Sequence, residues 1–221
     1  MDISKMYEFF QPEKVTSRCH IIGCGSVGST IVENLVRCGV TKFTFWDFDT
    51  VESHNVHNQM FYPKDIGRQK TEALADMMRE INPDVDVRIK EKGWNGEVLS
   101  GYVFLCVDNI ELRKTIVENN MHNMNVKAVF DFRTLLTSAQ HYAADWSDLK
   151  QKQILLDTMQ FSHEEAAEST PTSACGMTLG VMTTVRLVCA YGVNNFISFV
   201  KGEGIKRCVL VDGFNFVVDA F

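Results

Sequence analysis

Residues 19–28 read Cys19-His20-Ile21-Ile22-Gly23-Cys24-Gly25-Ser26-Val27-Gly28, and this stretch decides the fold. A short apolar run meets Gly-x-Gly-x-x-Gly, and a helical pattern follows to Cys38, where Gly39 stops it. A strand, a glycine turn and a helix in that order let the backbone approach a phosphate closely and aim a helix N-terminus at it. Thr41–Asp47 (TKFTFWD) is β-rich and reads as a second strand ending on an acid. Asp47 stands at the distance after the glycines where a carboxylate meets ribose hydroxyls. Gly23, Gly25, Ser26, Gly28 and Asp47 are therefore candidate nucleotide contacts. On its own this pattern fits NAD, FAD and ATP equally.

Further along, Asp49–Gln69 is polar, with Pro63 and Gly67 as breakers. Lys70–Ile81 is predicted helical, ended by Asn82-Pro83. Val85–Ile89 alternates as a strand, Tyr102–Val107 and Val126–Phe132 read as buried strands, and Glu111–His122 as a helix between them. Strands alternating with helices, the first ones apolar throughout, predict an α/β fold with a doubly wound, mostly parallel, Rossmann-like sheet. The second half departs from that alternation. Thr134–Ala144 reads as a long antiparallel strand and Gln151–Glu168 as helical or irregular. Ala174–Tyr191 is apolar nearly all round and predicts a buried helix. Asp212-Gly213 between two short apolar runs predicts a tight hairpin, extending the sheet in antiparallel fashion. The first 14 residues are mildly amphipathic, with Met6, Phe9 and Phe10 on the apolar side of a short docking helix.

The 221 residues suit one domain, 1–221, with residues 1–133 as a nucleotide-binding half and 134–221 as an antiparallel, dimer- and partner-binding half. Twenty-eight acidic against 22 basic side chains give a net charge of −6, which argues against a general nucleic-acid binder. No apolar run reaches a membrane span, and the start MDISKMYEFF lacks a signal-peptide core. Seven cysteines without a CxxC pair point to reduced thiols in a cytoplasmic protein. Five lie in apolar stretches; Cys24 and Cys175 stand near possible chemistry.

The segment after the second strand separates the cofactor classes. It reads Asp47-Phe48-Asp49-Thr50-Val51, then Ser53-His54-Asn55-Val56-His57-Asn58-Gln59, then Asp65-Ile66-Gly67-Arg68-Gln69-Lys70. Cys106-Val107-Asp108-Asn109 with Arg113 follows. These blocks resemble the D-x-D-x-V, S-N-L-x-R-Q, D-I-G-x-x-K and C-x-D-N-x-x-x-R motifs of the ThiF/MoeB and ubiquitin-activating-enzyme superfamily. The resemblance covers residues 18–133 strongly and resumes loosely at Cys175-Gly176. It implies an ATP-dependent adenylyltransferase working with Mg2+ as a homodimer. A C-terminal carboxylate of a ubiquitin-like or small peptide partner, of the Gly-Gly type, would attack the α-phosphate to give an acyl adenylate and pyrophosphate.

The same resemblance assigns roles. Lys70 would pair with phosphate oxygens, Asp108 would hold Mg2+, and Asp47 would bind ribose. Asp49, Asn55, Asn58, Gln59 and Asn109 would line the pocket. Arg113 reads as the anchor of a strand–helix junction. Cys175, at a helix start, matches a cysteine read as a thioester or persulfide carrier in some relatives; the plainer reading is a small packing residue. His54 and His57 read as solvated loop histidines, and Trp46 as core or partly under the adenosine.

One departure stands out. Asn58 occupies the position of the family's phosphate-facing arginine, and asparagine lacks both the charge and the fork. Loss of such an arginine costs about 10³–10⁵ in rate in phosphoryl-transfer enzymes. The family's N-terminal arginine, donated across a dimer, has no counterpart in MDISKMYEFF, and without CxxC pairs there is no zinc clamp. Arg133 and Arg68 are the candidate replacement cations. The rival expectations are a catalytically weakened scaffold that binds nucleotide or a ubiquitin-like tail, and a NAD- or FAD-dependent oxidoreductase resting on the glycine motif alone.

Overall fold

The computed structural model describes residues 1–162, 164, 165 and 179–221. Its described strands form an eight-stranded sheet in the order β3-β2-β1-β4-β5-β6-β7-β8. They are β1 Cys19–Ile22, β2 Lys42–Trp46, β3 Asp86–Lys90, β4 Gly101–Leu105, β5 Val126–Thr134, β6 Ser138–Asp145, β7 Cys208–Asp212 and β8 Val217–Ala220. β1 to β5 pair in parallel, and β5 to β8 are antiparallel. The order reverses direction between β1 and β4, the switch point where such sheets open a crevice at their carboxyl ends.

Alternation along the strands sends side chains to two cores. Cys19, Ile21, Phe43, Phe45, Phe104 and Phe130 point to one face. There α2 (Ser26–Arg37), α3 (Lys70–Ile81) and α6 (Met182–Lys201) cover them. Ile22, Trp46, Val103, Leu105 and Val129 point to the other, under α4 (Ile110–Asn120) and α5 (Leu149–Asp157). A four-residue helix α1, Ser4–Tyr7, leads into Phe10, which is buried. Phe9 stays exposed with the Lys201 ammonium 3.9 Å above its ring, so only part of the expected docking face docks.

Three expectations shift. The helix expected over 174–191 begins at Met182 and runs to Lys201, with Leu179–Val181 non-helical; residues 174–178 lie outside the described ones. It continues past Gly192 because that glycine lies on the Phe132 ring, where a Cβ would come within 2.1 Å of Cε1. Gly202, at φ +80°, ends it. Thr134 closes β5 rather than opening β6. Asp212-Gly213 does not make a two-residue hairpin. Asp212 ends β7, and its carboxylate accepts from Phe214 N and Asn215 N (3.2 and 3.1 Å), closing a four-residue turn with Phe216 at φ +57°. The side-chain bonds of Asp212 reproduce a backbone turn and so set a longer loop than the dipeptide suggests.

Candidate functional site

The glycine turn is built by contacts that only glycine permits at two of its three positions. Gly23 has φ +94°, and a Cβ there would meet Cys106 and Val107 at 2.9 Å. A Cβ on Gly28 would stand 1.9 Å from the Gly23 carbonyl oxygen, so the first turn of α2 rests directly on the loop. At Gly25 the nearest atom to a built Cβ is Gln59 Nε2 at 3.9 Å, which leaves the approach to the helix N-terminus open. Ser26 Oγ donates to the Asn58 carbonyl (2.7 Å), tying the loop to the 53–59 segment.

Asp47 fixes this turn from the end of β2. Its buried carboxylate accepts from Cys24 N (2.6 Å) and Asp49 N (2.8 Å). Burial pushes the carboxyl up, while those two bonds and the Lys70 charge pull it down. Cys24 is fully buried beside it, and burial together with Asp47 holds the thiol well above its ordinary value, so it stays protonated and inert.

Residues 49–51 pair with 67–70 through Val51 N→Arg68 O, Gly67 N→Val51 O and Lys70 N→Asp49 O. This short ladder starts α3 opposite Asp49, and the Lys70 ammonium sits 2.8 Å from Asp49 Oδ2. The Lys70 side chain is 9% exposed and that of Asp49 49%, so the pair stands at the mouth of the crevice with its acid facing outward. Asn55 is buried, and its Oδ1 accepts from Glu52 N (2.8 Å), holding a 3₁₀ turn. Asn58 Oδ1 and Gln59 Oε1 are buried acceptors without a partner among the described residues. His54 and His57 are exposed, as a solvated loop pair would be.

Across the switch point, Asp108 and Asn109 follow β4. Asn109 caps α4, accepting from Leu112 N (2.8 Å), which leaves Asp108 exposed and outside the cap. Among the described residues Asp108 has no hydrogen-bond or ion-pair partner. The Arg113 guanidinium grips the loop before it, donating to the Val107 carbonyl, to Phe132 O (2.6 Å) and to Asp131 Oδ1 (2.5 Å). It thus anchors the strand–helix junction, as its spacing suggests.

Arg133 and Arg68 are both engaged elsewhere. Arg133 donates to Asp131 Oδ2 (2.7 Å), Thr158 O (2.7 Å) and Thr158 Oγ1 (2.8 Å), and lies over the Tyr142 ring at 4.6 Å. Arg68 pairs with Asp65 and with Asp76 (3.2 and 2.5 Å). Cys175 lies outside the described residues. Trp46 is core and not an open surface: its Nε1–H donates to His20 Nδ1 at 3.2 Å inside the second core.

Sequence reasoning missed two features. Asp131, fully buried, is the acid shared by Arg113 and Arg133, and only the Asp-x-Arg spacing signals it. His141 is sandwiched between Phe130 and Phe132, with Asn195 3.0 Å from its Nε2 and Asp131 O 3.0 Å from its Nδ1. Asn195 donates to Nε2, so Nδ1–H is left to donate to the carbonyl, and burial lowers the ring's pKa to about 4.

A cavity of about 350 Å³ opens beside the first turn of α4, lined by Ile110, Lys114, Met159, Phe161 and Ser162 among others. A second, of about 410 Å³, lies near Asn125 and Trp94 at the amino ends of β4 and β5, away from the glycine turn. Among the described residues no group of three His, Cys, Asp or Glu could form a metal cage, and no helix is long and apolar enough to cross a membrane.

Fold and site together define a doubly wound α/β protein with a glycine turn, a strand-end acid and a helix-start lysine at its switch point. The chain belongs to the ThiF family, whose model matches residues 3–212. It is 32% identical over 133 residues to ubiquitin-like modifier-activating enzyme 5 of Caenorhabditis briggsae, a match covering 52% of this chain and 30% of that protein. The corresponding protein of Culex quinquefasciatus is 34% identical over 134 residues, covering 52% and 33%. The chain therefore spans about a third of the length of the curated relatives it matches. Among solved structures, Escherichia coli MccB has a TM-score of 0.72 at 14% identity, covering 95% of this chain and 63% of that one. PaaA gives 0.72 at 14%, covering 100% and 68%. MccB has also been crystallised with ATP, and with AMPCPP and MccA. At such identities the likeness is one of fold.

Proposed function

We propose that the chain is an ATP-dependent adenylyltransferase that activates the C-terminal carboxylate of a ubiquitin-like or small peptide or protein partner. The observation that carries this is the convergence of four groups on one crevice. The open Gly25 approach to α2, the Asp47 carboxylate, the Lys70–Asp49 pair and the exposed Asp108 all stand at the carboxyl ends of β1, β2 and β4. Membership of the ThiF family and the likeness to modifier-activating enzymes support the same reading.

The triphosphate would lie along the α2 N-terminus, where free N–H groups and the helix dipole favour an anion. Asp47 has both oxygens on backbone donors already and uses its remaining lone pairs toward ribose hydroxyls. Lys70, held by Asp49 through one N–H, has two left for phosphate oxygens. Asp108 fits as the protein ligand of Mg2+, because that ion takes one or two carboxylates plus phosphate oxygens rather than an all-protein cage. Bound there, the ion would supply charge neutralisation to a triphosphate carrying about four negative charges. The incoming carboxylate oxygen forms a bond to the α-phosphorus, and the bond from that phosphorus to the bridging oxygen breaks, releasing pyrophosphate. We assign the partner's tail to the cavity beside the first turn of α4, which opens next to Asp108 and Asn109. We read the working form as a homodimer and the location as cytoplasmic. Sedimentation of the purified chain tests the first and fractionation of cells the second.

Calorimetric titration with Mg-ATP, followed by ATP–pyrophosphate exchange with a Gly-Gly-ended partner, tests the reaction. Lys70→Ala should weaken ATP binding at least tenfold. A wild-type chain that binds no ATP sinks the reading.

A second reading, a weakened relative that serves as a nucleotide- or tail-binding scaffold, is favoured by one observation. Asn58 replaces the family arginine, and the two nearby candidates, Arg133 and Arg68, are held by Asp131 and by Asp65 and Asp76. Asn58→Arg separates the two: a scaffold gains exchange activity, whereas an enzyme with another cation gains little.

A further inference from the structure

Phe48 is 70% exposed although it sits between two acids of the site, Asp47 and Asp49. The three consecutive side chains take three different partners. Asp47 turns toward the glycine loop and Cys24 N, and Asp49 turns toward Lys70. Phe48 turns the other way, with its Cδ1 and Cε1 against Gly93. Gly93 follows β3 at φ +67°, and a Cβ there would come within 3.2 Å of the ring, so the missing side chain makes room for it. Asp47 N donates to Lys90 O (3.2 Å) and Gly93 N to Lys90 O (3.2 Å), fixing the ends of β2 and β3 under the ring.

The order of groups along the crevice gives the ring an occupant. Phosphates belong at the α2 N-terminus next to β1, and ribose at Asp47 on β2. The base therefore extends outward over the ends of β2 and β3, where Phe48 lies. We infer that Phe48 is the stacking platform for the nucleotide base, held in place by Gly93. This rests on the adenylation reading and adds a residue to it. Trp46, the other aromatic of the FTFWDF run, is buried with His20 and is not available for this.

Base–aromatic stacking is worth about 1–3 kcal/mol, a factor of about 5 to 150 in affinity. The test is calorimetric titration of the wild type, Phe48→Ala and Phe48→Trp with Mg-ATP and with inorganic tripolyphosphate. The expected result is a loss of at least fivefold in ATP affinity for Phe48→Ala, wild-type-like ATP affinity for Phe48→Trp, and unchanged tripolyphosphate affinity for both. Equal ATP affinity in Phe48→Ala and wild type overturns the platform and leaves adenylation standing. So does an equal loss for ATP and tripolyphosphate, because the damage would then lie at the phosphates. A wild type that binds neither probe overturns the adenylation reading and the platform with it. Phe48 is exposed, so its substitution leaves the core untouched, and matching thermal midpoints of the variants and wild type check that the fold is intact.

Discussion

Two carboxylate–cation groups sit at the carboxyl edge of the same sheet and are built oppositely. At the end of β2, Asp49 holds Lys70 with its own side chain half in water. Within β5, level with the end of β4, Asp131 is fully buried and divides its two oxygens between Arg113 and Arg133. Each arginine then reaches backbone: Arg113 the Val107 and Phe132 carbonyls, Arg133 the Thr158 carbonyl. The first arrangement leaves ammonium protons free and can accept a phosphate without dismantling anything. The second spends both carboxylate oxygens and three N–H bonds of each guanidinium on the fold, and it fixes the loop that carries Asp108. A cation at a site edge is therefore no evidence of a phosphate contact until its existing partners are known. Lys70 keeps its candidacy on that criterion. Arg133 spends three of its five N–H bonds on Asp131 and Thr158, so its guanidinium is already fixed in place between β5 and the end of α5 and offers a ligand only the two that remain.

The largest test of this contrast is Asp131→Ala. It strands two guanidinium groups, one 7% and one 15% exposed, without their acid. Removing one partner of a buried pair costs about 3–5 kcal/mol, or a fall in Tm on the order of 10 °C for a chain this long. Thermal and denaturant melts read it directly. A loss below about 1 kcal/mol would mean the pair is no more architectural than the one at Lys70.

The acid limb of the stability curve is the next effect in size. Burial lowers both His141 and His20 to about 4 from the ordinary 6.5. A histidine depressed on folding binds its proton more readily in the unfolded chain. Its stability contribution is complete above about pH 6.5 and drains away as pH falls toward 4. Each would withdraw up to about 3 kcal/mol over that window. Asp47, raised by burial, acts with the opposite sign and softens the fall at its lower end. Urea melts from pH 7 to pH 4 should show the decline, and in His141→Gln its slope should drop by about half. An unchanged slope in that variant would show that His141 is not the group being titrated.

These two clusters were unequally legible in the sequence. Gly23, Gly25, Gly28, Asp47 and Lys70 are readable because each answers to a local demand at fixed spacing: a turn, a close approach, an acid at a strand end, a helix start. The strand order through β5 follows from the same βαβ logic. Asp131 was visible only as a spacing, since its partners arrive from a helix 18 positions earlier and a strand residue two later, and nothing local demands them. His141 and Asn195 are 54 positions apart and meet only because α6 lies across β5 and β6. The length of α6 is hidden in the sequence for a similar reason: apolar periodicity falters at Gly192, and only contact with Phe132 shows that the glycine belongs inside the helix. Tertiary contacts carried this second half, and a single sequence does not print them.

The smallest expected effect is the most discriminating. Asp49→Asn removes the charge facing Lys70 but keeps an oxygen that can accept from its ammonium. Because the acid is 49% exposed, solvent already screens most of the attraction. Exposed ion pairs are worth about 0.2–1 kcal/mol, so the melt should shift by no more than that. The ladder of backbone bonds from residues 49–51 to 67–70 holds the start of α3 independently of the side chain, which keeps Lys70 in place. A loss approaching that of Asp131→Ala would erase the distinction between the two clusters. Lys70 would then have to be read as a structural lysine, and the phosphate contact sought among the backbone donors of α2 alone.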